Sequence, residues 1–434
     1  METDETALPT HLPGRRWRIA WLLGIGVLVN YFDRVNLSVS HDSLIAAFGI
    51  SNVVFGYLSS AYNWTYAVCQ LPIGVILDRF GVKRVGRIGT FIWSAASFAA
   101  AMAPSLGGLF GARFFLGVGE APTFPSNAKA IGMWFPPQER GLSTSLFDAA
   151  AKLASAIGVP LIGFALIAAG WRWSFALTGA ISFAYFLVFW RVYRDPVDDP
   201  GLTEIERRHI EQSDLPMADG AAGALEAKPS SLGHLLAQRK VLGLTLGFGA
   251  YSYVFYLLLY WLPSYLSASL HIDLPHSFVY TTVPWIFATF TDIALGGWLV
   301  DALIRRGRNA SRVRRVVLIT GTFFGLGIVG AVHAHDAVSA LIWISISIGG
   351  LAAAAPVAWS LPSLIARRSD VGKVGGIINF SGHVSGIAAS IITGYVVAVR
   401  HSYAWVFGVP AIYLAVGIAG YVFLLGKIER PEAG

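Results

Sequence analysis

GVILDRFGVKR (residues 74–84) and GGWLVDALIRRGR (residues 296–308) are two versions of one short pattern. In each, a glycine is followed four or five residues on by an aspartate, and then by bases around a glycine turn. Each copy closes an apolar run long enough to cross a bilayer, and the two stand at the same place in successive halves of the chain. A loop repeated in this way marks a duplicated membrane bundle, with its binding site where the halves meet.

Composition supports the membrane. Of 434 residues, 55% are hydrophobic and only 13% charged, against about 25% charged in soluble domains. Apolar stretches near the roughly 20 residues needed for a span recur at 17–38, 52–76, 85–103, 107–132, 141–168, 172–192, 241–266, 277–301, 313–333, 337–361, 372–399 and 403–426. GRRWR (14–18) leads straight into the first with no small-residue cleavage site after it, so no leader is expected. Cys69, the one cysteine, falls inside a span, so neither a disulfide nor thiol chemistry is expected. The net charge of +7 sits in short loops such as LIRRGRNASRVRR, which reads as topology and not as a nucleic-acid surface. By the positive-inside bias both termini and the basic loops are expected in the cytoplasm.

The expected organisation is a tail (1–16), a six-helix bundle (17–193), a cytoplasmic linker with a short amphipathic helix (194–239), a second six-helix bundle (240–426) and a tail (427–434). PMADGAAGALEAKPSS (216–231) reads as its flexible part.

GVILDRFGVKR resembles the loop signature of the major facilitator superfamily. NYFDRVNLS (30–38), SAYNWTYAVCQLP (60–72), RFFLGVGEAPTFP (113–125), DPVDDPGLTEIERRHI (195–210), FYLLLYWLP (255–263) and GGIINFSGHVSG (375–386) further resemble its anion:cation symporters, over roughly residues 15–425. These include bacterial proton-coupled carriers of hexuronates, galactonate and glucarate, with vesicular glutamate transporters as relatives. The resemblance implies an all-α membrane protein of twelve transmembrane helices in two pseudo-symmetric six-helix bundles. It also implies proton-coupling acids at Asp33 and Glu120 and substrate contacts at Tyr66 and Asn379. The chain departs from the family pattern at Asp148 and Lys152 in segment 5, Asp292 in segment 8 and His383 in segment 11.

The residues themselves point to an anion. An arginine at bilayer depth costs about 2.5–3.5 kcal/mol and so faces a cavity or a partner. It stays charged and offers a planar fork matched to a carboxylate. Arg34 and Arg113 are such residues, and the alternative for each is an ion pair stapling helices. Asp33 and Arg34 lie about 100° apart on their helix and do not simply neutralise each other. Arg34 is expected to face the cavity, and Asp33 another helix, toward Arg113 or Glu120. Arg113 and Glu120 share a face roughly 10 Å apart, so each needs partners elsewhere. A carboxylate so placed can take a proton in one conformation and release it in another.

In segment 7, Tyr253, Tyr256 and Tyr260 form a polar-tipped stripe, read either as substrate contacts or as packing. Lys152 is either an i, i+4 partner of Asp148 or an added cation in the substrate site. Asp78, Arg79, Lys83, Arg84 and Asp301 belong to the repeated loops and are expected to gate. The reading is a secondary transporter in the inner membrane, a monomer, coupling protons to uptake of a small organic anion of the sugar-acid class. It is expected to need no cofactor or metal beyond the coupling proton. No GxxxxGK[ST] is present for ATP, and no polar domain is large enough for an enzyme. An exporter, for which GVPLIG (158–163) speaks, and a non-transporting sensor stay open.

Overall fold

Without water in the hydrocarbon, a spanning backbone must satisfy its own hydrogen bonds, and only a helix does so within one segment. The computed structural model describes residues 14–136, 139–211, 230–334, 336–367, 370–400 and 404–428, excluding the side chains at 71, 78, 140, 211, 274 and 404. All regular secondary structure among them is helical.

The first half comprises α1 (Arg15–Val39), α2 (His41–Phe48), α3 (Asn52–Ala101), α4 (Leu106–Glu120), α5 (Thr123–Trp134), α6 (Arg140–Ala169) and α7 (Trp171–Val192). The linker contributes α8 (Glu204–Glu211) and α9 (Leu232–Ala237). In the second half are α10 (Arg239–Leu270), α11 (Leu274–Thr291), α12 (Val300–Arg305), α13 (Ala310–Gly325), α14 (Ala337–Ser360), α15 (Pro362–Ile365), α16 (Val371–Arg400) and α17 (Ala404–Ala419). Each predicted segment is helical over most of its length.

Among the described residues, eight helices are long and apolar enough to cross a membrane singly, or nine with α2 and the first part of α3 taken as one bent span. The segments that fall short are early in the chain, for physical reasons. Buried Asn30, Asp33, Arg34 and Asn36 dilute α1. Segments 2 and 3 run together as the 50-residue α3, broken at Gly81, whose φ of 75° suits glycine. Segment 4 splits at Ala121 and Pro122 into α4 and α5, of 15 and 12 residues.

The halves meet along helices from each. On the face away from the basic loops, the Ser38 hydroxyl of α1 donates to the Tyr260 carbonyl of α10 (3.0 Å), and the Thr282 hydroxyl of α11 donates to the Ala156 carbonyl of α6 (2.9 Å). There α3 and α16 touch through reciprocal glycines. A Cβ on Gly56 would stand 2.6 Å from the Ser390 carbonyl, and one on Gly394 2.5 Å from that of Asn52. This seam closes the far face.

At the basic face, the linker folds back on the first half. Arg15 pairs with Asp199 (2.8 Å), and buried Glu206 on α8 accepts from the main chain of Arg15 and Arg16. Arg16 also donates twice to Glu139 (2.8 and 3.1 Å) and holds its carboxyl below the usual range. The expected flexible linker and most of both expected tails lie outside the described residues.

A candidate anion site between the halves

Between the halves lies a cavity of ≈ 510 Å³ including its open mouth. Tyr31, Arg34, Tyr66, Asp148 and Lys152 line it from the first half, and Tyr251, Phe255, Tyr256, Asn379 and His383 from the second. It lies on the basic-loop side of the sealed face, since Phe248 and Asn379 stand only a few turns into α10 and α16.

Arg34 stands at its head, 1% exposed. Its Nε and Nη2 donate to Oε2 of Glu120 on α4 (3.3 and 3.1 Å), and Nη2 also to Asn30 Oδ1 (2.7 Å). The guanidinium lies 4.1 Å from the Tyr31 ring centroid and 4.6 Å from that of Tyr62, a range in which ring and cation attract. Glu120 Oε1 has no hydrogen-bond partner among the described residues. The fork is therefore aimed, stacked and held by one carboxylate.

Asp33 takes the other direction, as helical geometry requires, though its partners differ from those expected. Its Oδ2 accepts from Trp93 Nε1 of α3 and the Ser182 hydroxyl of α7, each at 3.0 Å. Arg113 instead donates to the main-chain carbonyl of Asp33 (3.1 Å), and its Nε and Nη2 have no hydrogen-bond partner among the described residues. Arg113 thus lies behind the cavity wall, joining α4 to α1 through the Asp33 peptide.

The second half closes on the first through polar pairs at the cavity. Asn379 donates to Gln70 Oε1 (3.0 Å). His383 Nδ1 sits 3.0 Å from Asn63 Oδ1 and 3.2 Å from Tyr256 Oη, with its ring 3.9 Å from that of Tyr66. Of the tyrosine stripe, only Tyr256 borders the cavity. Tyr253 is turned to Tyr413 of α17 (6.1 Å between rings), and Tyr260 stacks on Tyr256 (5.9 Å).

Lys152 borders the cavity, but its ammonium is already taken. It lies 2.7 Å from Asp148 Oδ2 on the same helix and 2.7 Å from Asp292 Oδ2 in the other half. In sequence all three residues stand out as departures from the family pattern, with nothing to join Asp292 to Lys152. A lone acid in an apolar segment and a lone base in another are the available signal.

The loop residues are elsewhere. Arg79, Arg84 and Asp301 are exposed, while Lys83 pairs with Asp198 (3.2 Å) in the linker. The side chain of Asp78 lies outside the described residues.

A family model for the Major Facilitator Superfamily matches residues 23–387. The chain belongs to the Major Facilitator Superfamily. Similar curated members are the uncharacterized transporter YybO of Bacillus subtilis, 37% identical over 99% of this chain and 98% of its own length, and the D-galactonate transporter of Escherichia coli O6:H1, 30% identical over 96% and 97%. Among solved structures, the inward-open xylose transporter XylE of E. coli superimposes with a TM-score of 0.72 at 15% identity, covering 96% of this chain and 97% of its own. The superfamily fold accounts for the all-α architecture, the two six-helix bundles and the central cavity between them.

Proposed function

We propose that the protein is a proton-coupled symporter of a small organic anion, a sugar acid of the aldonate, aldarate or hexuronate class. It would work as a monomer in the cytoplasmic membrane, with both termini in the cytoplasm and the proton as its only coupling ion. The observation that carries this reading is the Arg34–Glu120 pair at the head of the cavity. A substrate carboxylate takes the Nε–Nη2 edge of the guanidinium only by displacing Glu120. The displaced carboxylate is left buried, where an uncompensated charge costs several kcal/mol, and a proton on its free Oε1 removes that charge. Anion and proton then travel together, because neither arrangement of the site leaves a charge unmatched. Tyr66, Tyr256 and Asn379 supply neutral donors and acceptors suited to hydroxyls. The similarity to a D-galactonate transporter supports the sugar-acid class.

The test is thermal stabilisation of the purified protein against aldonates, aldarates, hexuronates and simple mono- and dicarboxylates. Uptake of the hits into proteoliposomes follows, with a pH gradient imposed in each direction. Accumulation driven by an inward proton gradient is expected. Binding without flux would make the protein a sensor, and substrate efflux driven by inward proton flow would make it an exporter.

A further inference from the structure

The cycle proposed above uses Arg34 and Glu120 and leaves a second charged cluster idle. Lys152 on α6 and Asp292 at the end of α11 join the halves at 2.7 Å, and Asp148 holds the same ammonium at 2.7 Å from the cavity side. Lys152 is 2% exposed and Asp292 fully buried.

Two carboxylates face one ammonium, so with all three ionised the cluster carries one negative charge in excess. Its surroundings do not supply a counter-charge. From α10 Tyr251 faces the cluster, and from α1 Tyr31 does. The stretch of α14 packed against this part of the chain, Ala337–Ser360, contains no titratable residue. Arg34, on α1 across the cavity, is engaged with Glu120.

The geometry repeats that of the Arg34 site. There one glutamate oxygen rests on the cation while Oε1 has no hydrogen-bond partner among the described residues, and here Asp292 sets Oδ2 2.7 Å from the ammonium, with neither of its oxygens in a hydrogen bond among the described residues. Asp292 also opens a π-helical stretch, Asp292–Leu299, inside an otherwise α-helical span, and such insertions recur at functional sites. Gly296 in that stretch lets α14 approach, since a Cβ there would meet the Ala353 carbonyl at 2.6 Å.

The pair also stands where the halves touch. From Lys152 and Asp292 the α6–α11 contact runs outward through Ala156 and Thr282 to Gly163 and Phe278, toward the sealed face. Opening that face separates α6 from α11. Lys152 then keeps Asp148, one turn away on its own helix, and Asp292 loses its cation.

We propose that the Asp148–Lys152–Asp292 triad is a second proton-carrying centre, with Asp292 Oδ1 taking one proton from water at one face and releasing it at the other in each cycle. This rests on the reading of the chain as a proton-coupled anion symporter and raises its proton count by one over Glu120 alone.

The experiment measures steady-state accumulation in proteoliposomes with the membrane potential clamped at zero and a pH gradient of about one unit. The probe is whichever of galactonate, glucarate, galactarate and glucuronate the wild type accumulates best. Each coupled proton multiplies the attainable ratio by about ten per pH unit. Asp292→Asn, which fixes the neutral form, is expected to accumulate about tenfold less than wild type while still exchanging internal for external substrate. Asp148→Asn is measured in parallel, because its ion pair with Lys152 lies within α6 and it tests the partner acid if Asp292→Asn does not insert. A wild-type ratio in both variants, joint loss of exchange and accumulation in both, or failure of both to insert would overturn the proposal by making the triad a structural staple. Absence of gradient-driven accumulation in the wild type would instead overturn the symport reading beneath it.

Discussion

Replacing Glu120 with glutamine tests whether the carboxylate on Arg34 competes with substrate. Both Arg34 bonds to Glu120, at 3.3 and 3.1 Å, go to one oxygen, and glutamine can offer an oxygen in the same place without its charge. The guanidinium stays charged in the variant, so its bonds to glutamine remain hydrogen bonds to a charged group, and what is lost is the attraction of the opposite charge, about 1.4–4 kcal/mol for an adjacent pair. The anion no longer has to overcome that difference. Affinity in the variant is expected to rise at least about tenfold at pH values where Glu120 is ionised. The pH profile separates this from a general electrostatic effect. Wild-type affinity should fall with rising pH, by up to about tenfold per unit, as Glu120 ionises and occupies Arg34. Glu120→Gln should be flat over the same range and should accumulate substrate about tenfold less per pH unit of gradient than wild type. Calorimetric titration of the best-stabilising sugar acid across the neutral and mildly alkaline range reads both quantities. An affinity equal to wild type with an unchanged pH slope would refute the competition.

Arg34→Lys keeps the charge but loses the fork and the stacking on Tyr31 and Tyr62. About 2–4 kcal/mol is at stake, so the same titration should show binding weakened at least about 30-fold, and a change under about threefold would count against the anion site. Gly56→Ala pushes a methyl toward the Ser390 carbonyl, an overpacking worth about 1–3 kcal/mol that should favour opening of the far face. Spin labels at positions 57 and 395, whose rings lie 6.3 Å apart, in a Cys69→Ser background should report a longer distance, and an unchanged distribution would refute the role of the seam.

Much of this could be read from the residues. Polar side chains at membrane depth located the cavity wall, and the 100° between neighbours on a helix sent Arg34 and Asp33 in different directions as found. The partners of Asp33 were not legible, because Trp93 and Ser182 come from two other helices and leave no periodic trace beside it. The α10 stripe was misaligned for a simpler reason. Phe248, Tyr251, Ser252, Phe255 and Tyr256 follow one another at alternating spacings of three and one and share the cavity face, whereas Tyr253 lies about 100° beyond Ser252. Reading the tyrosines alone hid that stripe. The merging of segments 2 and 3 escaped notice because a basic loop and a broken helix look alike in sequence. The breaking residues themselves, Gly81 and Pro122, were in view.

The reciprocal contact of Gly56 and Gly394 has a consequence for how the machine is driven. That part of the far-face seal is made of main chain lying against main chain, Gly56 on Ser390 and Gly394 on Asn52, with Tyr57 and Tyr395 beside the glycines and His41 on the Asn52 side chain. The ion pairs of Arg34 and Lys152 lie at the cavity instead, and proton binding there acts on this lock through the helices that carry both levels. Sensing and sealing occupy different levels of the same helices, so the seal can be tightened or loosened by mutation without retuning what the transporter recognises.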